Sequence, residues 1–392
     1  MRSASGNIKE NEKITAVAVA VAAPAAVQVA QAVAQAVAQV VADVELTDMI
    51  CERKSRLLMQ FHITGQCNLR CKHCYRTEGD VQPLSYDEVI TVFEQFKALL
   101  KEYKKTYNVK AKGHVNITGG EPFFRKDIKE ILEYMGENKD LFSYGVLSNG
   151  YFLDEELISV LKKTGVRFIQ MSIDGNRKMH DYLRAPGDYD RVFKTARMLK
   201  KNGILPYISF TANRDNYKYL PLVARKCRLC GVKKLWTDRL VPIGNGQELE
   251  DLVITSDIMP DYLKTIKKAQ GNQLLQKLFP NTIVESNRAL QFLGTDGLFY
   301  HCGAGHSLII VDEFGNIMPC RRMPIICGNI KEDTLRNVFF DHEVFMELRE
   351  LDSPDECGGC IYSHLCRGGA KCQSYATYNS YEKADPGCWF CH

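Results

Sequence analysis

Beyond residue 56 the chain alternates between two kinds of apolar pattern. Short runs rich in β-branched and aromatic residues, LLMQFHIT, HVNITGG, FSYGVLSNG, VRFIQMSIDG, ILPYISFTAN and KKLWTDRLVP, read as strands. Between them lie stretches with apolar residues at helical spacing: Tyr86 to Lys105, Lys126 to Asn138, Asp154 to Lys163, Tyr189 to Asn202 and Tyr217 to Cys230. Strand alternating with helix implies crossovers and a parallel sheet. Six such units predict an α/β fold, a partial (β/α)6 barrel over residues 51–245, with its working groups at the carboxyl ends of the strands.

The flanks are patterned differently. Residues 246–295 read as a helical linker, and 296–392 as a cysteine-rich region in which SLIIVDEFGNIMP is strand, turn, strand with Gly315 at the turn. Thr334 to Phe339 and His342 to Leu351 follow as short helices. Residues 1–50 form an Ala/Val/Gln-rich extension without a charge from Thr15 to Ala42. Gln28, Gln31, Gln35 and Gln39 recur on one helical face and Val29, Val33, Val37 and Val40 on another, so the segment is expected to be helical or poorly ordered. It reads as a docking helix or as a low-complexity extension. Pro24 and the glutamines interrupt it, and no Leu, Ile or Phe enriches it, so no membrane association is expected.

Composition changes this picture at one point. The 392 residues carry a formal net charge of only +4, spread along the chain, which gives no electrostatic case for nucleic acid. The 15 cysteines, however, are far too many for an ordinary enzyme. A disulfide scaffold is normally much shorter and no clean export signal precedes them, so metal or cluster ligation in the cytoplasm is expected.

Three of these cysteines, Cys67, Cys71 and Cys74, stand in CNLRCKHCY immediately after the first strand. Thiolates so close on one loop can converge on one metal centre. A structural zinc site wants four ligands. Three thiols on an iron–sulfur cubane leave one iron open, which is a chemical reason for stopping at three. Gly119, Gly120, Glu121 and Pro122 end the second strand, Ser148 and Asn149 the third, and Ser172 to Gly175, with Asp174, the fourth. Singly, each of these reads equally well as a tight strand exit or turn.

Together, the CxxxCxxC, the GGEP, the Ser148–Asn149 pair and the SIDG resemble the radical S-adenosylmethionine (SAM) enzymes. The resemblance implies a 4Fe-4S cluster on Cys67, Cys71 and Cys74 whose open iron chelates SAM. It implies that Gly119, Gly120 and Glu121 hold the methionyl amine, that Ser148, Asn149, Ser172 and Asp174 serve the ribose and carboxylate, and that His73 lies beside the adenine. In such enzymes the reduced cluster cleaves SAM to a 5'-deoxyadenosyl radical that takes a hydrogen from the substrate.

The C-terminal cysteines are similar to the SPASM extension of radical SAM enzymes, which carries two auxiliary 4Fe-4S clusters. By that likeness Cys302, Cys320 and Cys372 serve the first, and Cys357, Cys360, Cys366 and Cys388 the second. The spacing from Cys366 to Cys372 is two residues longer than the usual pattern, and the first set lacks an evident fourth ligand. Cys327 and Cys391 are candidates, and an open iron that takes a substrate thiolate is the third possibility. Cys51, Cys227 and Cys230 read as ordinary thiols.

Enzymes of this build act mostly on ribosomally made peptides, so the expected function is a peptide maturase forming thioether or other crosslinks. Its partners would be a peptide and a reductant such as flavodoxin or ferredoxin. Sulfatase-maturing enzymes share the layout but place an aspartate base directly after the second cysteine of the Cys302–Cys320 unit. Arg321 and Arg322 stand there, which argues against that reaction, with Asp312 or Glu313 nearby as stand-ins. A haem-pathway enzyme and a non-catalytic iron–sulfur scaffold are the other readings.

Overall fold

The computed structural model describes residues 56–76, 83–271, 282–295 and 300–390. The Ala/Val/Gln extension, Cys51 and Cys391 lie outside the described residues. All six expected strands form: β1 (Arg56–His62), β2 (Lys112–Thr118), β3 (Phe142–Leu147), β4 (Phe168–Ser172), β5 (Leu205–Ala212) and β6 (Lys234–Arg239). They pair in parallel and in sequence order, from Leu58 opposite His114 to Ser209 opposite Trp236.

The crossovers are amphipathic helices. Helix α1 (Tyr86–Tyr107) begins with a reciprocal cap: Ser85 Oγ accepts from the Glu88 amide, and the Glu88 carboxylate accepts from the Ser85 amide at 2.7 Å. Its inner face buries Val89, Val92, Phe93, Phe96, Leu99, Leu100 and Tyr103, with Phe93 edge-on to Phe61 of β1 at 5.5 Å. At roughly 1.5–3 kcal/mol per large apolar side chain, such faces are what hold the helices on the sheet. Helices α2 (Ile128–Glu137) and α3 (Glu155–Lys163) follow, then α4 (Arg177–Leu183), α5 (Asp188–Lys201), α6 (Leu220–Cys230) and α7 (Met259–Gln270).

Two features depart from the sequence reading. Strand β7 (Ile283–Glu285) emerges from the expected helical linker and pairs in parallel with β6; three residues carry too little alternation to announce a strand. Helix α4, RKMHDYL, has no apolar stripe and is started by Asn176, whose side chain accepts from the Met179 amide.

The C-terminal strands β8 (Leu308–Val311), β9 (Asn316–Met318) and β10 (Gly328–Asn329) extend the same sheet. Strand β8 pairs in parallel with β1, giving the order β10-β9-β8-β1-β2-β3-β4-β5-β6-β7. β7 and β10 stay apart as edges, so the barrel is partial and not closed. No helix among the described residues is long and apolar enough to cross a membrane.

One strand residue sets a pH dependence. His114 of β2 is buried; its Nδ1 lies 2.8 Å from Ser143 Oγ and its Nε2 3.1 Å from Asn116 Oδ1, partners that suit the neutral ring. Burial lowers its pKa to about 4. Between that value and the unfolded value near 6.5, the unfolded chain binds the extra proton, so stability falls as pH falls through this window, by about 3 kcal/mol for this one group. His114→Gln should flatten the slope of unfolding free energy between pH 6.5 and 4 by up to one proton, read from denaturant titrations at several pH values.

Candidate functional site

At the carboxyl ends of the strands the sheet opens into a cavity of about 510 Å³. Its near wall is the loop after β1, carrying Cys67, Cys71 and Cys74. The loop is pinned by the Lys72 amide donating to the Leu183 carbonyl at the end of α4, and by Arg70 donating to the Cys67 carbonyl at 2.7 Å. The three thiols lie near enough to act on one another, and burial raises the pKa of Cys67 and Cys71.

Beside them, Gly119 and Gly120 run against the loop backbone. Gly119 sits at φ +138°, and a Cβ there would stand 2.2 Å from the Thr64 carbonyl oxygen; one on Gly120 would stand 2.1 Å from that of Gln66. Only glycine allows this approach. The Glu121 carboxylate, by contrast, is fully buried. It accepts from Ser148 Oγ at 2.8 Å, from the Asn149 amide at 2.6 Å and from the Phe123 amide at 3.1 Å. Burial raises it to about 7 against the pull of these donors. Its side chain therefore locks the β2 and β3 exits together, and what faces the cavity from GGEP is the glycine backbone. Ser148 and Asn149 line the cavity, with Asn149 Nδ2 donating to Asn68 at 2.7 Å.

Ser172 also lines the cavity, bonded to Ser209 Oγ at 2.9 Å, while Asp174 lies wholly buried behind it. Asp174 Oδ1 accepts from the Thr211 amide at 2.8 Å, and Oδ2 from Arg184 Nε at 2.5 Å. Burial favours its neutral form, but Arg184 and His73 outweigh this and hold the carboxyl far below its ordinary value. Asp174 thus acts through Arg184, whose Nη1 lies 3.8 Å from Cys71 Sγ and whose Nη2 lies 3.2 Å from His73 Nε2. Arg184 is absent from the sequence reading. It reaches the site because α4 turns the chain back onto Asp174, and α4 has no apolar signature. His73 lines the cavity with Nδ1 buried and unpartnered among the described residues.

The far wall is cationic and aromatic. Arg322 Nη2 pairs with Asp238 Oδ2 at 2.8 Å, and Trp236 lines the same wall. Arg321 faces the cavity over the Tyr75 ring at 5.1 Å with no carboxylate partner among the described residues. Neither acidic stand-in reaches this wall. Asp312 accepts from the Phe314 and Asn316 amides in the β8–β9 turn, and Glu313 is held by Arg76.

The C-terminal thiols gather in two places. Cys302, Cys320 and Cys372 share a small apolar cluster with Val241, Ala304 and Met323. Cys320 and Cys372 share a hydrogen bond that raises the first thiol and lowers the second. Cys357, Cys360, Cys366 and Cys388 line one small cavity with Leu290, Leu293 and Phe390. Cys327 joins neither set. It packs in the main core, donates to the Ile325 carbonyl at 3.5 Å, and burial raises its thiol to about 12.

The two C-terminal sets are tied to the barrel by Asp385. It accepts from Arg239 Nη1 at 2.8 Å and Nη2 at 2.5 Å, from the Ala370 amide at 3.0 Å and from the Gly387 amide at 2.8 Å.

A zinc ion would draw its ligands to within about 2.3 Å of one point. No three His, Cys, Asp or Glu side chains among the described residues are gathered that tightly. Four thiols around one small cavity suit a multi-iron cluster, in which each thiolate bonds a different iron. The glycine backbone cradle and the unpartnered His73 nitrogen suit a polar cofactor beside it.

Comparison with known proteins agrees. The Radical SAM superfamily profile matches residues 61–215, and the SPASM profile, an iron-sulfur cluster-binding domain, matches residues 302–361. An AdoMet-dependent heme synthase of Oleidesulfovibrio alaskensis is 26% identical over 349 residues, 85% of this chain and 87% of that protein. Mycofactocin maturase MftC of Mycolicibacterium smegmatis is 27% identical over 341 residues, 85% of this chain and 82% of its own. Among solved structures, Streptococcus suis SuiB bound to S-adenosylmethionine superposes with a TM-score of 0.64 at 17% identity, covering 86% of this chain and 78% of SuiB. The chain is therefore an enzyme of the radical SAM superfamily with a C-terminal SPASM domain, whose cofactors are S-adenosylmethionine and 4Fe-4S iron–sulfur clusters.

Proposed function

We propose that this enzyme is a maturase that modifies a ribosomally made peptide, forming a thioether or another crosslink. Cys67, Cys71 and Cys74 hold the cluster that reductively cleaves SAM. Gly119, Gly120, Ser148, Asn149 and Ser172 seat SAM, His73 stands beside it, and Glu121 and Asp174 fix those groups from behind. When bound, the pair supplies a carbon-centred radical; the chain's task is to orient the substrate and exclude water.

The observation that carries this reading is the cavity. At about 510 Å³ it matches one small-molecule ligand, so with SAM in place a substrate enters by a side chain and not whole. Its far wall leads to a second set of thiols, because Arg322 lines the cavity and feels the charges of Cys372 and Cys320. The relatives named as mycofactocin maturase and as a subtilosin biosynthesis protein, each 27% identical, support a peptide substrate.

In this reading Cys302, Cys320 and Cys372 hold one auxiliary cluster whose fourth corner takes a substrate thiolate, and Cys357, Cys360, Cys366 and Cys388 hold the other. Cys327→Ala should leave the iron content unchanged. Cys391→Ala should do the same, and a loss of iron there would fill the open corner with protein and remove the thiolate site. A flavodoxin or ferredoxin supplies electrons in the cytoplasm.

A second reading is favoured by Arg321. A cavity-facing guanidinium without a carboxylate partner suits a carboxylate-bearing substrate, and the relatives named heme synthase are 26% identical. Co-expression with cysteine-containing peptides encoded beside the gene separates the two. Loss of two hydrogens per crosslink, read by mass spectrometry, supports the maturase. An unchanged peptide together with tight haemin binding, read from a shifted Soret band, would replace it with the tetrapyrrole reading.

A further inference from the structure

Lys371, the first residue of α8 (Lys371–Tyr378), has no role in the site described so far. Its side chain is only 4% exposed, and its Nζ has no hydrogen-bond partner among the described residues. Long lysine side chains ordinarily carry the ammonium to water, and a buried one is ordinarily paired. Neither happens here.

Its position accounts for this. The Lys371 amide donates to the Cys302 thiol, which places the residue against the first C-terminal thiol set. The side chain then runs toward the second. A Cβ built on Gly368 would lie 3.5 Å from Lys371 Nζ, and Gly368 lines the small cavity shared by Cys357, Cys360, Cys366 and Cys388. Burial lowers its pKa, while Cys302 of the first set and Cys366 and Cys357 of the second favour its ammonium.

We propose that Lys371 is the shared counter-ion of the two auxiliary clusters, its ammonium donating to cluster sulfur in the space between them. The inference rests on the cluster assignments proposed above. Iron–sulfur sites carry net negative charge and accept hydrogen bonds at sulfur, and both effects set their potentials. A fixed cation between two clusters favours the reduced form of each. It ties their potentials to one side chain and eases electron exchange between them.

The test uses full-length protein with Cys67, Cys71 and Cys74 replaced by alanine, so that only auxiliary signals remain, reconstituted anaerobically and followed by EPR-monitored redox titration. Lys371→Met should lower the midpoint potentials of both auxiliary clusters at unchanged iron content, and Lys371→Arg should restore them most of the way. Unshifted potentials, or a shift confined to one cluster, would overturn the shared role. If Lys371→Met sheds iron, Lys371→Gln decides: it keeps a donor without the charge, so lowered potentials on both clusters support the proposal and unchanged ones overturn it. Should the parent protein itself take up no auxiliary iron, the cluster assignments fail, and the role of Lys371 with them, an outcome distinct from a loaded parent with unshifted potentials.

Discussion

Replacing Cys71 by alanine is expected to remove about four irons per chain and to abolish reductive cleavage of SAM. The loop after β1 offers three thiols, and Cys71 is the one that Arg184 approaches at 3.8 Å, within the Asp174–His73–Arg184 network. Two remaining thiols hold only two corners of a cubane. The auxiliary iron should stay, because the C-terminal thiol sets are built from other residues. Cys227→Ala is the matched control. That thiol is wholly buried in the helix face of α6, where burial raises its pKa strongly, and it packs as a small hydrophobe. Its loss should leave iron unchanged and cost only stability, about 1 kcal/mol. Iron by colorimetric assay and 5'-deoxyadenosine by chromatography read both outcomes.

Asp385→Ala is expected to destabilise the fold by about 3–5 kcal/mol, because it strands the buried Arg239 guanidinium without its counter-charge. It also removes the acceptor of the Ala370 and Gly387 amides. Those amides shape the turn before Cys372 and the approach to Cys388, so auxiliary iron should fall while the first cluster is retained. Denaturant midpoints and iron counts on the same samples measure both. The double change Arg239→Met with Asp385→Leu should recover much of the lost stability, since two apolar side chains replace a buried ion pair at little net cost. Auxiliary iron should recover less, because no acceptor returns to the two amides.

What the sequence makes legible follows from how local each signal is. Six strands and their helices show as periodicity, because each must bury one face within its own length. Cys67, Cys71 and Cys74 show because three thiols stand within eight positions on one loop. The four-thiol set is equally readable, since only Cys388 lies far from its fellows, and Cys227 and Cys230 do pack as core thiols.

The partners are what the sequence hides. Asp385 meets Arg239 across 146 positions, and nothing near either residue marks the pair. Arg184 joins the site only through α4, a helix started by a side-chain cap and not by an apolar stripe. Glu121 stands in the expected motif, yet its carboxylate serves the β3 exit and leaves the cavity to Gly119 and Gly120. Cys327, a cysteine in a cysteine-rich region, is carried by the hairpin β9–β10 into the main core.

In the proposed function the thiol loop and the neighbouring strand ends together form a working SAM-cleaving centre. The direct measurement is anaerobic incubation of the iron-loaded, dithionite-reduced protein with SAM, followed by quantitation of 5'-deoxyadenosine and methionine. Equal yields of the two, lost in Cys71→Ala and kept in Cys227→Ala, are the predicted result. Intact clusters that bind SAM and release neither product would contradict it.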